Sequence, residues 1–307
     1  MDRVYVEEIV QKYLKDCECR RRLSSKTVKA YRIDLTQFID FANYQINNEN
    51  LIIDYMFELS QNYSKPKTIK RKIASIKAFY SFLEFNEIIN VSLKKVKMDI
   101  KEPKILPKTI SNMHIEMVLS YVYKEISQAD TEYKRKQSVR NATVIELLFS
   151  TGIRISELCN IKVKDIDMQA RLLKIFGKGS KERIIYIGND NVIKILNNYM
   201  NLYKEEIKTS EFLFLNKFND RLSEQAVRIF LKKIEQELGE NVHITPHMFR
   251  HTFATMLLEK DVDIRYIQKI LGHSSISVTE IYTHVSSSKQ KEILLLKNPR
   301  NDYNSFY

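Results

Sequence analysis

Cysteine is scarce in this 307-residue chain: there are three, Cys17, Cys19 and Cys159. An odd, sparse set builds no disulfide framework and fits a reducing compartment. Cys17 and Cys19 stand two apart on an expected helix and point in different directions, and no second cysteine pair completes a zinc site. Glycine is held to six residues. A chain so poor in glycine reads as mostly helical, and the positions that keep it are those where the backbone turns tightly. Gly152, Gly177, Gly179 and Gly272 all fall close to basic or histidine residues. No apolar run approaches the roughly 20 residues that cross a bilayer. The start, M-D-R-V-Y-V-E-E, lacks the basic lead and apolar run of a signal peptide. These absences point to a cytoplasmic protein with no membrane partner. Acidic residues are in deficit, 38 against 50 basic, which leaves a net charge of +12. The expected partner of such a surface is a polyanion. The length exceeds one compact core and suggests two domains.

Residues 1–100 read as four helices without strands. Val4 to Leu14 is amphipathic, and Ser24 or Ser25 caps a second helix with Val28, Tyr31, Leu35, Phe38 and Ile39 on one face. Leu51 to Leu59 makes a shorter helix. After Ser64 and Pro66 a long helix buries Ile69, Ile73, Ile76, Phe79, Tyr80 and Leu83. From Ser64 to Lys97 there are nine Lys/Arg against two Glu. One cluster includes Lys67, Lys70, Arg71 and Lys77, and another includes Arg20, Arg21, Arg22, Lys26 and Lys29. Two basic clusters on one small helical domain favour phosphate contacts. Lys26, Lys67, Lys70, Arg71 and Lys77 are the DNA-binding candidates. Residues 101–109 form a linker, since Pro103 and Pro107 oppose helix. The second domain spans 110–307.

That domain opens with helices over Met113 to Ile126 and Val139 to Phe149. Next come S-T-G-I-R-I-S-E-L, then a β-hairpin from R-L-L-K-I-F to I-I-Y-I with the tip G-K-G-S-K-E-R. The fold class is therefore mainly α with a small β-hairpin. A helix over Ser223 to Leu238 precedes T-P-H-M-F-R-H-T-F-A, where Thr245 caps and Pro246 takes the first helical position. Asp263 caps the following helix, and Gly272 stops it after Leu271. His273 comes directly afterwards, and Ser274 or Ser275 caps a short helix carrying Tyr282. Ile293 to Leu296 is an apolar run that must be buried, in its own domain or on a neighbouring copy.

The chemistry-bearing set is Arg154, Lys178, His247, Arg250, His273 and Tyr282. Two guanidiniums can hold one phosphate through paired bonds. Two imidazoles move protons near neutrality. A lysine between glycines can deliver a proton, and a tyrosine oxygen is a nucleophile once deprotonated. No carboxylate cluster is present to hold magnesium. The His247/His251 pair has the spacing of a helical zinc site, but Met248 stands where the metalloprotease motif needs Glu. Taken together, the set suits metal-free attack by tyrosine on a phosphodiester, with no cofactor.

At these residues the chain resembles the tyrosine recombinases of the phage-integrase family, in the style of the bacterial Xer recombinases and the compact integrases of mobile elements. T-G-I-R-I-S-E-L is similar to the first arginine box and G-K-G-S-K-E-R to the hairpin lysine. H-M-F-R-H-T-F-A resembles the His-x-x-Arg box, L-G-H the following histidine and I-Y-T-H-V the nucleophile box. The resemblance implies a helical core-binding domain that clamps DNA and an α/β catalytic domain. It implies that Tyr282 forms a 3′-phosphotyrosyl bond, that Arg154, Arg250 and His273 hold the phosphate, and that Lys178 protonates the departing 5′ oxygen. It gives His247 proton transfer at the tyrosine and Glu157 a supporting role. It further implies double-stranded DNA with an inverted-repeat core site, in the nucleoid. The assembly would be a homotetramer, or a heterotetramer with a related recombinase, working on two sites through a Holliday junction. The C-terminal helix would dock on the adjacent protomer. The competing expectations are a type IB topoisomerase-like enzyme and a catalytically silent DNA-binding module.

Overall fold

The computed structural model describes residues 2–48, 50–91, 108–177, 182–239, 242–272 and 287–303. The chain divides into two compact units, Met1–Ile105 and Leu106–Tyr307. Of the expected linker over 101–109, all but 108 and 109 lie outside the described residues.

The first unit holds α1 (Arg3–Cys19), α2 (Ser25–Phe41), α3 (Asn50–Asn62) and α4 (Pro66–Phe85). Ser24 caps α2, its Oγ accepting from the Thr27 amide at 3.2 Å. Pro66 opens α4, where its missing N–H costs nothing. The expected α4 stripe, Ile69, Ile73, Ile76, Phe79, Tyr80 and Leu83, is buried. It meets aromatic rings of the other helices: Tyr13 lies 5.3 Å from Phe79, and Phe38 lies 6.0 Å from Tyr80. Ring pairs at such separations add to the area they bury.

A buried ion pair, Asp34 with Lys72, crosses this core. Asp34 on α2 is fully buried. It accepts from Arg71, from Lys72 Nζ at 3.2 Å and from Ser75 Oγ at 3.1 Å, all on α4. A carboxylate this deep persists only when its oxygens are paired. Part of the basic run of α4 is thus tied to α2 instead of facing outward.

The second unit begins with α5 (Asn112–Ser127), α6 (Glu132–Thr151) and α7 (Ile155–Cys159). A three-stranded antiparallel sheet follows in the order β1 (Ile166–Asp167), β2 (Leu172–Phe176), β3 (Glu182–Tyr186). The unit continues with α8 (Asp190–Leu202), α9 (Lys204–Thr209), α10 (Glu224–Leu238) and α11 (Pro246–Glu259). It closes with α12 (Ile264–Leu271), α13 (Ser287–Leu296) and a 3₁₀ turn over Pro299–Asp302. α6 is the central element, buried on nearly every side from Val139 onward, and α5, α8 and α11 all pack on it. It starts at Glu132, seven residues before the apolar stretch read in the sequence, because Thr131 caps it through a bond from the Lys134 amide at 3.2 Å. The hairpin pairs Leu173 with Ile185 and Ile175 with Arg183. Its tip, residues 178–181, lies outside the described residues.

The apolar run near the end is split. Ile293 and Leu294 are buried within their own unit, where α13 packs on β3, while Leu295 and Leu296 are exposed. Of the two places expected for this run, its own domain takes Ile293 and Leu294. Just beyond it, Arg300 enters the core. Its Nε and Nη2 donate to Glu146 at 2.7 and 2.8 Å, and both side chains are fully buried. Tyr123 donates to the same carboxylate at 2.7 Å. Asn298 Nδ2 donates to the Ser150 carbonyl at 2.9 Å. The last described turn is therefore fastened to α5 and α6. Among the described residues, no helix is long and apolar enough to cross a membrane.

Candidate active site

The site is built where α6 ends. Gly152 adopts φ +60°, which stops the helix and reverses the chain. A Cβ there would lie 2.6 Å from Phe253 Cδ1 and 2.8 Å from Leu271 Cδ2. Both backbone conformation and space therefore require glycine. Two residues later Arg154 caps α7, with its side chain about one-third exposed at 35%. Glu157 fixes it twice: Oε2 accepts from the Arg154 amide at 2.8 Å, and Oε1 accepts from Arg154 Nη1 at 2.9 Å.

Arg250 comes from α11. Thr245 caps that helix through a 3.3 Å bond from the Met248 amide, and Phe249, Phe253, Met256 and Leu257 are buried on the same side of it as Arg250. Arg250 is itself 5% exposed. Nη1 donates to the Gly152 carbonyl at 2.8 Å and Nη2 to the Leu271 carbonyl at 2.6 Å. Both acceptors sit at helix ends, where carbonyls lack partners within the helix. Among the described residues, two of the five guanidinium donors are thereby used. Burial lowers the Arg250 pKa to about 10, helped by the neighbouring charges of Arg154 and Arg183 and opposed by Glu157. The group stays charged at neutral pH, crowded by like charges.

Sequence reasoning missed Arg183. On β3 it donates through Nη1 and Nη2 to Glu157 at 2.9 and 2.7 Å, and through Nε to the Ile270 carbonyl at 3.0 Å. A signal was present. Arg183 alternates in register with Ile185 and Ile187, both buried, so a charged residue stood on the inward face of a strand. Burial raises the carboxyl pKa of Glu157, but the hydrogen bonds from Arg183 and Arg154 outweigh it and hold the group below its ordinary 4.5. The sign follows. The ionised cluster stabilises the fold above about pH 4.5, and that contribution is lost as pH falls through the lowered value. Three guanidiniums against one carboxylate (3 − 1) leave an excess of two positive charges at one turn.

Of the sequence-read set, Arg154, Arg250 and Glu157 come together here. His247, three residues before Arg250, is exposed. His251 lies beside them, with a pKa lowered by burial and by the charges of His247 and Arg250. Lys178, His273 and Tyr282 lie outside the described residues. So does the short helix expected after Ser274. Among the described residues, no group of three or more His, Cys, Asp or Glu side chains is placed to hold a metal ion.

The model of the phage integrase family matches residues 116–289, and that of the phage integrase N-terminal SAM-like domain matches residues 10–86. The chain belongs to the phage integrase family and is a tyrosine recombinase. A protein named tyrosine recombinase from Agathobacter rectalis is 48% identical, with 96% of this chain and 97% of the relative covered. Tyrosine recombinase XerC of Staphylococcus epidermidis is 33% identical, with 96% and 98% covered. The fold is that of the solved XerH site-specific recombinase bound to its palindromic difH substrate, at a TM-score of 0.68 and 22% identity, over 94% of this chain and 83% of that one. Within the family match fall Arg154, Glu157, Arg183 and Arg250, the four residues of the cluster.

In the first unit, Lys26 and Lys67 are exposed, and Lys70 and Lys77 are half-buried. Arg71 keeps an exposed edge but is paired with the buried Asp34.

Proposed function

We propose that this chain recombines DNA at specific sites by tyrosine attack on the scissile phosphate, with no metal ion in the chemistry. The observation that carries the reading is the unneutralised guanidinium cluster at Gly152. Arg250 is fixed by two backbone carbonyls, and Arg154 beside it retains an exposed edge. Charge that builds on non-bridging oxygens in a pentavalent transition state is stabilised most by donors already in place. In the cutting step the Tyr282 oxygen bonds to phosphorus and the bond from phosphorus to the 5′ oxygen breaks. The phenolic proton passes to His247, and Lys178 supplies a proton to the departing oxygen. The phosphodiester is conserved as a phosphotyrosyl ester, so a 5′ hydroxyl from another strand reverses the step without ATP. Arg154, Arg250 and His273 hold the phosphate. Four copies on two double-stranded sites would pass through a Holliday junction. A solved relative in fold is a lambda integrase tetramer bound to such a junction.

The test uses the wild-type chain. A duplex selected from a random-sequence pool is nicked beside the cut position, so that the small 5′ fragment diffuses away. A covalent protein–DNA adduct that yields phosphotyrosine, together with exchange between two labelled sites, is the expected result. Relaxation of supercoils without exchange would make the chain a topoisomerase. Specific binding without cleavage would make it a silent binding module.

Two further outcomes follow from the residues. Lys178→Ala slows cleavage, and a substrate whose 5′ bridging oxygen is sulfur recovers the rate, because a thiolate departs without a proton. Single-turnover cleavage of the two substrates checks this, and failure to recover removes Lys178 from that role. Lys67→Ala, on the exposed face of α4, weakens DNA binding across sequences and lowers the slope of log K against log salt by about one. Arg71→Ala behaves differently, since it uncovers the buried Asp34. It lowers the melting temperature more than it changes the salt slope, as fluorescence anisotropy and thermal melts will show.

A further inference from the structure

We propose that Arg183 is a positioning residue: it shares the charge of Glu157 so that Arg154 stays in place, and stays available, for the phosphate. The proposal rests on the recombinase reading above. Glu157 is 7% exposed and its two oxygens accept four bonds. Oε1 takes one each from Arg154 Nη1 and Arg183 Nη1, and Oε2 takes one each from the Arg154 amide and Arg183 Nη2. That saturates a carboxylate, which offers about four lone-pair sites. The division between the two arginines is unequal. Arg183 presents its planar fork to both oxygens, whereas the side chain of Arg154 gives a single nitrogen to one of them. Arg183 is also the more enclosed, with its side chain 12% exposed against 35% for Arg154. The bulk of the carboxylate charge is therefore matched by Arg183. Without it, Arg154 would be the one cation among the described residues still hydrogen-bonded to Glu157, which would draw that guanidinium down into a bidentate pair, away from any ligand.

Arg183 also reaches the other half of the cluster. Its Nε holds the Ile270 carbonyl at 3.0 Å, while Arg250 Nη2 holds the next carbonyl, Leu271, at 2.6 Å. Gly272 follows with φ +65°, and a Cβ on it would stand 3.0 Å from Arg183 Cδ and 3.1 Å from Arg183 Nη1. One side chain on β3 thus joins the start of α7 to the end of α12. A lysine could supply the charge there but not the three fixed bonds in one plane.

The experiment is a double-mutant cycle on single-turnover cleavage of the nicked suicide duplex, with Arg183→Gln, Arg154→Ala and the combination. Arg183→Gln is expected to slow cleavage by about 10- to 100-fold, the range for groups that orient a functional side chain. DNA affinity should change less than about threefold, since Arg183 holds no phosphate. In the Arg154→Ala background, Arg183→Gln should cost less than about threefold more, because its target is already gone. A general structural defect would instead slow both backgrounds by the same factor, and that additive result overturns the proposal. Parallel losses of affinity and rate would overturn it as well. Arg183→Lys carries the same cycle if the glutamine variant fails to fold, and it should itself slow cleavage by more than about threefold in the wild-type background and by less than about threefold in the Arg154→Ala background. The two readings separate cleanly. No adduct from the wild type refutes the recombinase reading and the role of Arg183 with it, whereas a wild-type adduct with an additive cycle refutes the role of Arg183 alone.

Discussion

Tyr282→Phe abolishes the covalent adduct. The substitution removes one oxygen and keeps the ring, so specific DNA binding should persist while trapping on the nicked duplex disappears. Loss of a catalytic nucleophile costs roughly 10⁴-fold or more, because nothing else can form the intermediate. The expected gel shows equal shifted complexes for both proteins and a denaturation-resistant band for the wild type alone. The chain has 17 tyrosines, so the control has real discriminating power. An adduct that survives Tyr282→Phe moves the nucleophile to another of them and rejects the mechanism as written.

Arg250→Ala is the second large effect, and the structure supplies its two components. The chemical component is loss of a preset guanidinium beside the phosphate, on the order of 10³- to 10⁵-fold in cleavage rate where an arginine stabilises phosphoryl transfer. The structural component is the release of the Gly152 and Leu271 carbonyls, each left without the partner it has now. Unpaired buried acceptors cost about 1–3 kcal/mol each, so the melting temperature falls as well. Arg250→Lys should recover little, since one ammonium cannot span two carbonyls and still face a ligand. A separate readout isolates the electrostatics. Burial and like charge press the Arg250 pKa down to about 10, which marks a cluster relieved by binding an anion. Inorganic phosphate should therefore raise the melting temperature of the wild type by mass action, and raise that of Arg250→Ala much less. Equal stabilisation of both proteins would place the anion elsewhere.

What could be read without coordinates was local. The limits of α12 follow from Asp263 and Gly272, and the structure agrees, with Asp263 capping through the Arg265 amide at 2.8 Å and Gly272 left-handed. Capping involves residues two or three apart, so the sequence displays it. The buried stripe of α4 was legible for the same reason, being a matter of period. Arg154 and Arg250 could be listed, and in the structure the charge of one bears on the other. Contacts across long sequence separations were not legible. Arg183 meets Glu157 from 26 positions away, and Arg71 meets Asp34 from 37. Nothing in either local stretch marks its partner, so the sequence offers Arg71 as a DNA-binding candidate without showing its bond to Asp34, and gives no pairing for Arg183. Helix α8 went unread for a different reason. Asn189 caps it and Val192, Ile195, Leu196 and Tyr199 are buried at helical spacing, but the stretch follows directly on an apolar strand that masks the change of period.

The Arg300–Glu146 pair has a practical bearing on how the protein is handled. Trimming the chain before residue 300, or fusing a partner in place of those last residues, would leave the buried Glu146 of α6 without its guanidinium partner, on the element from which Gly152 and Arg154 emerge. Removing one member of such a pair costs about 3–5 kcal/mol, a large share of what keeps a domain folded. A shortened version would thus fail as a folded body before its activity could be judged.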